Sequence, residues 1–434
     1  MRCKYLIFLL FVYLPFYLPL RIVIPVNIVF LQDAIIIIML LCIINKGKII
    51  VRKSQSRIDV LMLFFLLYSL SMVFFLSTLR GGMPRIFKHI HTFISGIFMY
   101  FSVKHFLKKK DFEVVLKLYT YTAIIIAILY VYEWMNVNLL GNPIFSWVTK
   151  YNNDFGGAEQ FLSKGTLGFY RPMGVIGYNH ATGIFISGAL SIVYTKYQQN
   201  IGKFNLPVLI LFFLAIILTA SRTAILSIVI IFLLNWSKNG FGYKLKMFFR
   251  VVLVFSVIFF IYVTYIESNE ITMLFNLLSG SFTGNEKSSS IFEVFFNVFV
   301  RDIEQINLIY SNYPMALLLG TGFPIYISGL ILNPILTNDT YFMMWISQYG
   351  LVGSFLMILC LVTVFKRLNR FLKLDNLPRE DKVIAISTFR VLLIFLFSTV
   401  HSSSIQFYPL YFGFFAFLGI ASYMTSNSLF NKNS

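Results

Sequence analysis

Acidic side chains are scarce in this chain. Seventeen Asp and Glu stand against 36 Lys and Arg among 434 residues, and charged residues are 12% of the whole. So thin a coat of charge, with a mean hydropathy of +0.79, excludes a water-soluble globular chain of this length. Cysteine is rarer still: Cys3, Cys42 and Cys360 have neither disulfide nor metal spacing, and are expected to pack or to face lipid. H-E-x-x-H, G-x-x-x-x-G-K-[ST] and G-x-S-x-G do not occur. Their absence removes most of the case for ATP hydrolysis or serine-esterase chemistry, and no metal or cofactor is expected.

What the chain has is apolar sequence. Hydrophobic residues are 58% of it and aromatic ones 18%, in recurrent runs of about 18 to 25 residues, each able to cross a hydrocarbon core of roughly 30 Å. Lipid offers the backbone no hydrogen-bond partner, and the alternating pattern of a barrel is missing. The expected fold is therefore all-α: a polytopic integral membrane protein of about twelve transmembrane helices, forming a single membrane domain over 1–434. The helices are placed at 5–21, 27–45, 58–78, 89–106, 113–134, 181–196, 205–220, 223–236, 248–266, 341–365, 383–400 and 407–424. No small-residue cleavage site follows the first run, which is read as a retained helix rather than a signal peptide. Basic loops at Lys46 to Arg57, Lys108 to Lys110, Lys238 to Arg250 and Lys366 to Lys382 should be cytoplasmic, and both termini with them. Cations scattered over separate loops do not make a nucleic-acid surface.

This threading requires a break in the run from Leu206 to Leu234, at Thr219-Ala-Ser-Arg222. An unbroken helix there would carry the basic loop after it to the wrong side. Arg222 then stands at the outer face between two short helices, the kind of interrupted segment where membrane proteins place polar sites. Two long segments lie on the outer side, about 135–180 and 267–340. The second runs through a Gly/Ser/Asn-rich stretch, 279–290, into 291–310, whose apolar residues three and four apart predict a helix lying in the interface. The helix bodies are nearly uncharged, with Asp33 and Glu133 as partial exceptions near the outer interface.

Arginine collects on that outer side: Arg171, Arg222 and Arg301, with Arg80 and Arg85 in the short loop between the third and fourth helices. A guanidinium fork bonds phosphate oxygens bidentately and stays charged, which suits a lipid diphosphate. An interfacial anchor or a loop salt bridge is the plain alternative for any one of them. Asp339, at the outer entrance to the helix from 341, could cap that helix, as could Asn338 or Thr340, or could accept a proton from a sugar hydroxyl.

Four stretches together resemble the O-antigen polymerase and O-antigen ligase superfamily, bacterial membrane glycosyltransferases of the GT-C type. Arg171-Pro-Met-Gly-Val-Ile-Gly-Tyr-Asn-His-Ala-Thr-Gly183 is similar to that family's arginine, glycine and asparagine approach to a helix. Leu218-Thr-Ala-Ser-Arg-Thr-Ala224 is similar to its serine–arginine signature. Arg301 followed by Asn312-Tyr-Pro-Met-Ala-Leu-Leu-Leu-Gly-Thr-Gly322 resembles its outer-loop arginine before a Pro and a Gly-x-Gly. Asp339-Thr340, nine residues and Gly350-Leu-Val-Gly353 have the ligase spacing, with Asp339 where ligases carry histidine. That departure favours the polymerase branch over ligation to a lipid core. The resemblance implies a GT-C-like fold with a long, partly helical outer loop, in the bacterial inner membrane. It also implies transfer of a growing glycan from undecaprenyl diphosphate onto a second lipid-linked repeat unit, making O antigen, capsule or exopolysaccharide without metal or nucleotide sugar. Arg222, Arg301 and Asp339 would be catalytic. Arg171, Asn179, His180, Arg80, Arg85 and Tyr341 would contact substrate, a loop or capping role being the plainer reading of His180. A chain-length regulator and a flippase are possible partners, and a ligase or a flippase of the lipid-linked unit is the alternative function.

Overall fold

Each apolar run folds as a helix wherever the computed structural model describes it. The described residues are 3–17, 19–20, 56–80, 95–140, 172, 174–201, 205–219, 221–233, 311, 314–320, 341–374, 377–401 and 408–430, with Ile35, Ile38 and Leu41. Of these, 90% are helical and none is in a strand. In chain order the helices are α1 (Lys4–Tyr13, continued by a 3-10 turn at Leu14–Phe16), α2 (Arg57–Arg80), α3 (Ser95–Phe106), α4 (Lys109–Leu139), α5 (Asn179–Gln198) and α6 (Asn205–Leu218). They continue with α7 (Arg222–Leu233), α8 (Pro314–Leu319), α9 (Tyr341–Leu372), α10 (Arg379–His401) and α11 (Tyr408–Phe430). The expected helix at 248–266 and the interfacial helix at 291–310 lie outside the described residues, as does most of 27–45.

Among the described residues, three helices, Lys109–Leu139, Tyr349–Leu372 and Arg379–Thr399, are long and apolar enough to cross a membrane. Their surfaces show why water is the wrong solvent. On α4, Tyr121, Ile125, Ile128, Tyr132, Met135 and Leu139 are exposed along one stripe, while Tyr119, Ala123, Ile126, Tyr130 and Val137 are buried on the other face. A helix that is apolar on its exposed face as well as its buried one is matched to lipid. Leu351, Phe355, Ile358 and Val362 make a second such stripe on α9.

Helix α5 occupies the middle, packed against α4, α6, α7 and α10. It can do so because its buried faces are small: Gly183, Ser187, Gly188, Ala189 and Ser191 let neighbouring backbones approach closely. At Gly188 the approach is taken by Tyr119, whose hydroxyl donates to Phe185 O at 2.9 Å.

The run from Leu206 to Leu234 is broken where expected: α6 ends at Leu218, Thr219 forms a turn, and α7 opens at Arg222. Helix α9 carries a break that the sequence reading does not contain. Gly350 sits at φ 62°, ψ −173° inside it, a conformation that only glycine adopts without strain. A side chain there would also run into Leu318 O and Gly320 N at the end of α8. Tyr68 of α2 clamps the junction, its hydroxyl donating towards Leu319 O and Tyr349 O at 2.8 and 2.9 Å.

Ion pairs tie the helices at one end of the bundle. Lys4 of α1 bonds Asp111 of α4 at 2.9 Å, and Lys109 bonds Asp381 of α10 at 2.7 Å. Asp59 of α2 pairs with Lys104 of α3 and accepts from Tyr100 Oη at 2.7 Å, and Ser422 of α11 completes the cluster, 2.8 Å from Tyr100 Oη. Cys3 and Cys360 are buried packing residues, while Cys42 lies outside the described residues.

Candidate functional site: where two helices begin

The other end of the bundle is organised by helix starts. Asn179 opens α5, and its side-chain Oδ1 accepts from the N–H of His180 at 2.8 Å. Its Nδ2 reaches Thr219 O at a long 3.5 Å. One residue on, His180 Nδ1 lies 2.9 Å from Ser221 Oγ. That same hydroxyl oxygen accepts from Ala224 N–H at 3.3 Å, which makes Ser221 the N-cap of α7. Gly183, one turn into α5, faces the start of α7 so closely that a Cβ would stand 2.8 Å from Ala224 Cβ and 2.9 Å from Thr219 Oγ1. Ser187, a further turn down, donates to Gly183 O within α5 and lies 3.3 Å from Ala224 O across the contact.

The N-termini of α5 and α7 therefore abut. A helix start presents N–H groups without intrahelical acceptors and the positive end of the helix dipole, and both effects favour an anion. Arg222 is the first residue of α7, so a permanent cation joins the helix start that already carries partial positive charge.

A tight turn closes the site from the side of α4. Gly174 and Gly177 take φ values of 69° and 88°, and Gly177 N–H donates to Gly174 O at 3.0 Å. Tyr130 Oη donates to Pro172 O at 3.1 Å, and Gly174 N–H donates to Glu133 Oε2 at 3.2 Å. At Gly174 a Cβ would be 2.8 Å from the Tyr130 ring and 3.0 Å from Thr182 Oγ1 of α5. The turn is thus pressed between α4 and the first turn of α5, which only glycine permits.

Of the four stretches singled out in the sequence, the described parts pair off. The one ending at Gly183 packs on the one containing Ser221, through Asn179, His180 and Gly183. The one containing Gly320 packs on the one containing Gly350. Asn179 and His180 are thereby placed at the site, and His180 combines the expected helix-entrance position with a contact to Ser221. Arg222 opens α7, Arg80 closes α2 and Tyr341 opens α9; these three are placed by their backbone alone. Arg171, Arg85, Arg301 and Asp339 lie outside the described residues.

Glu133, one of the two acids that the sequence puts in the helix bodies near the outer interface, is buried at 5% exposure against Gly174. Arg390 was not noticed, although it stands alone in the apolar run of α10. It is 1% exposed, donates to Thr195 Oγ1 at 2.7 Å and Gln198 Oε1 at 2.9 Å, and lies over the Tyr194 ring. Its partners sit in the last turn of α5, whose negative dipole end supplies part of its compensation. Comparison with known proteins finds no family model that matches this chain, and no curated protein matches it.

Proposed function

We propose that this protein is a membrane glycosyltransferase that joins undecaprenyl-diphosphate-linked oligosaccharide units into a polysaccharide. In this reading it is GT-C-like, has about twelve spans, and works at the outer face of the bacterial inner membrane with both termini in the cytoplasm. The single observation that carries the reading is the meeting of the α5 and α7 helix starts at Arg222, since the departing diphosphate needs fixed positive groups where it accumulates charge. Arg222 and Arg301 hold the leaving diphosphate, and Arg171 positions donor or acceptor. Asp339 activates or orients the attacking sugar hydroxyl, and a carboxylate takes its proton. Asn179 and His180 line the approach, with Arg80, Arg85 and Tyr341 as outlying substrate contacts. A chain-length regulator and a flippase are its proposed partners.

Reconstitution into vesicles with purified lipid-linked repeat units tests this. A ladder of polymer is expected from the wild type, and a shortened one from Arg222→Lys, which keeps the charge and loses the bidentate fork. Ladders of equal length would remove Arg222 from the site. A second reading, a carrier that moves the lipid-linked unit, draws on the buried Glu133 and Arg390 in the helix bodies. It predicts that the unit changes leaflet without growing.

A further inference from the structure

Burying a carboxylate in a helix body is costly, and a neutral amide would receive a backbone N–H equally well. Glu133 is an acid at such a place. Among the described residues, only Gly174 N–H donates to it, at 3.2 Å to Oε2. No described cation neutralises it. The other described carboxylates in ion pairs, Asp59, Asp111, Glu113 and Asp381, each hold a lysine. Asp59, Asp111 and Asp381 lie at the far end of the bundle, and Glu113 lies in the second turn of α4 there. Glu133 is five turns further along α4, under the turn that leads straight into the first turn of α5.

The Gly174 N–H engages Oε2, and among the described residues nothing donates to Oε1. We infer that Glu133 is the general base of this site, accepting the proton of the acceptor sugar's hydroxyl. The inference rests on the glycosyl-transfer reading above and deepens it, giving α4 a catalytic group beside the two helix starts. In the step, the acceptor oxygen bonds the anomeric carbon of the donor. The bond from that carbon to the diphosphate oxygen breaks, and its electron pair leaves with the diphosphate. The hydroxyl proton passes to Glu133 Oε1 and from there to water. Base and leaving-group site then stand on different helices, linked through the turn at Gly174.

Glu133→Gln keeps an acceptor for Gly174 N–H and removes the basic oxygen. In vesicles supplied with lipid-linked repeat units, it is expected to lower the polymerisation rate by about 100-fold or more, the usual weight of a general base. Binding of undecaprenyl diphosphate, measured on the same protein, should stay within about threefold of wild type, because the anion is held by other groups. A wild-type rate in E133Q overturns the inference and leaves the function intact. Loss of both rate and binding also overturns it, since Glu133 would then only support the turn. If E133Q does not insert, Glu133→Asp decides: a rate reduced about tenfold with unchanged binding supports the base role, and an unchanged rate overturns it. A wild-type protein that binds the diphosphate and makes no ladder overturns both this inference and the function.

Discussion

The two ends of the helix bundle handle charge in opposite ways. At the Lys4 end, the three described buried acids are matched by lysines: Asp111 by Lys4, Asp59 by Lys104, and Asp381 by Lys109. The Asp59 cluster is further saturated by Tyr100, Ser56 and Ser422. At the Asn179 end, contacts are made by hydroxyls, an imidazole, an amide and glycines, and the one described carboxylate meets a backbone N–H. Two helix starts add positive potential there, and among the described residues no ion pair holds an acid to a cation at that end. Charge at the first end is spent within the fold, and at the second the proposed reading leaves it for an anion.

Removing one partner of the buried pair should give the largest effect on stability. Asp59→Ala strands Lys104 among Tyr100, Ser56 and Ser422, and the loss of one member of a buried ion pair costs about 3–5 kcal/mol. Unfolding in detergent, followed by helical circular dichroism, should show that loss. A variant as stable as wild type would mean that this end does not depend on its internal charge balance, and the contrast would fall.

The next test inverts the expectation. Arg222→Ala removes a cation from a helix N-terminus, where it is unfavourable to the helix, so stability should stay level or rise slightly. Polymerisation should nevertheless fall by about 10²- to 10³-fold, the range for removing one group that stabilises developing negative charge. A fall in stability with no change in rate would make Arg222 a structural residue like those at the far end.

Gly183→Val separates the helix starts without touching charge. The added atoms meet Ala224 Cβ and Thr219 Oγ1, so α5 and α7 must part or strain, at about 1–3 kcal/mol. Binding of undecaprenyl diphosphate should weaken along with stability. Unaltered binding would show that the anion does not need the two starts in contact.

Much of this architecture could be read from hydropathy. The break at Thr219–Ser221 was legible because two constraints met there: an apolar run too long for one span and a basic loop that had to lie on a set side. The kink at Gly350 was not, because its cause is α8, a non-local neighbour that presents Leu318 O and Gly320 N to the helix. Asn179 stood at the approach to one helix and Ser221 in the break before another, yet nothing in a single sequence said that the two starts would touch. The glycine at 183 and the serine at 187 were the available signal, small residues on the face of α5 that receives α7. Arg390 was overlooked because one cation hardly alters the mean hydropathy of its run, although a lone arginine in an apolar helix is itself the sign of a buried partner. In the structure those partners are Thr195 and Gln198.

The smallest effect sharpens the contrast by separating burial from charge. Lys117 and Glu113 are also an ion pair at the Lys4 end, 2.8 Å apart and four residues apart on α4, but both side chains are half exposed. Such a pair is screened by solvent and loses side-chain freedom when it forms, so Lys117→Ala should change stability by only about 0.3–0.5 kcal/mol. Lying at the same end as the Asp59 cluster would not raise that figure if burial is what gives the cluster its weight. A loss of several kcal/mol in Lys117→Ala would instead mean that charges at this end act as one network. The neutralised end would then have to be treated as a single cooperative unit rather than as separate ties between helix pairs.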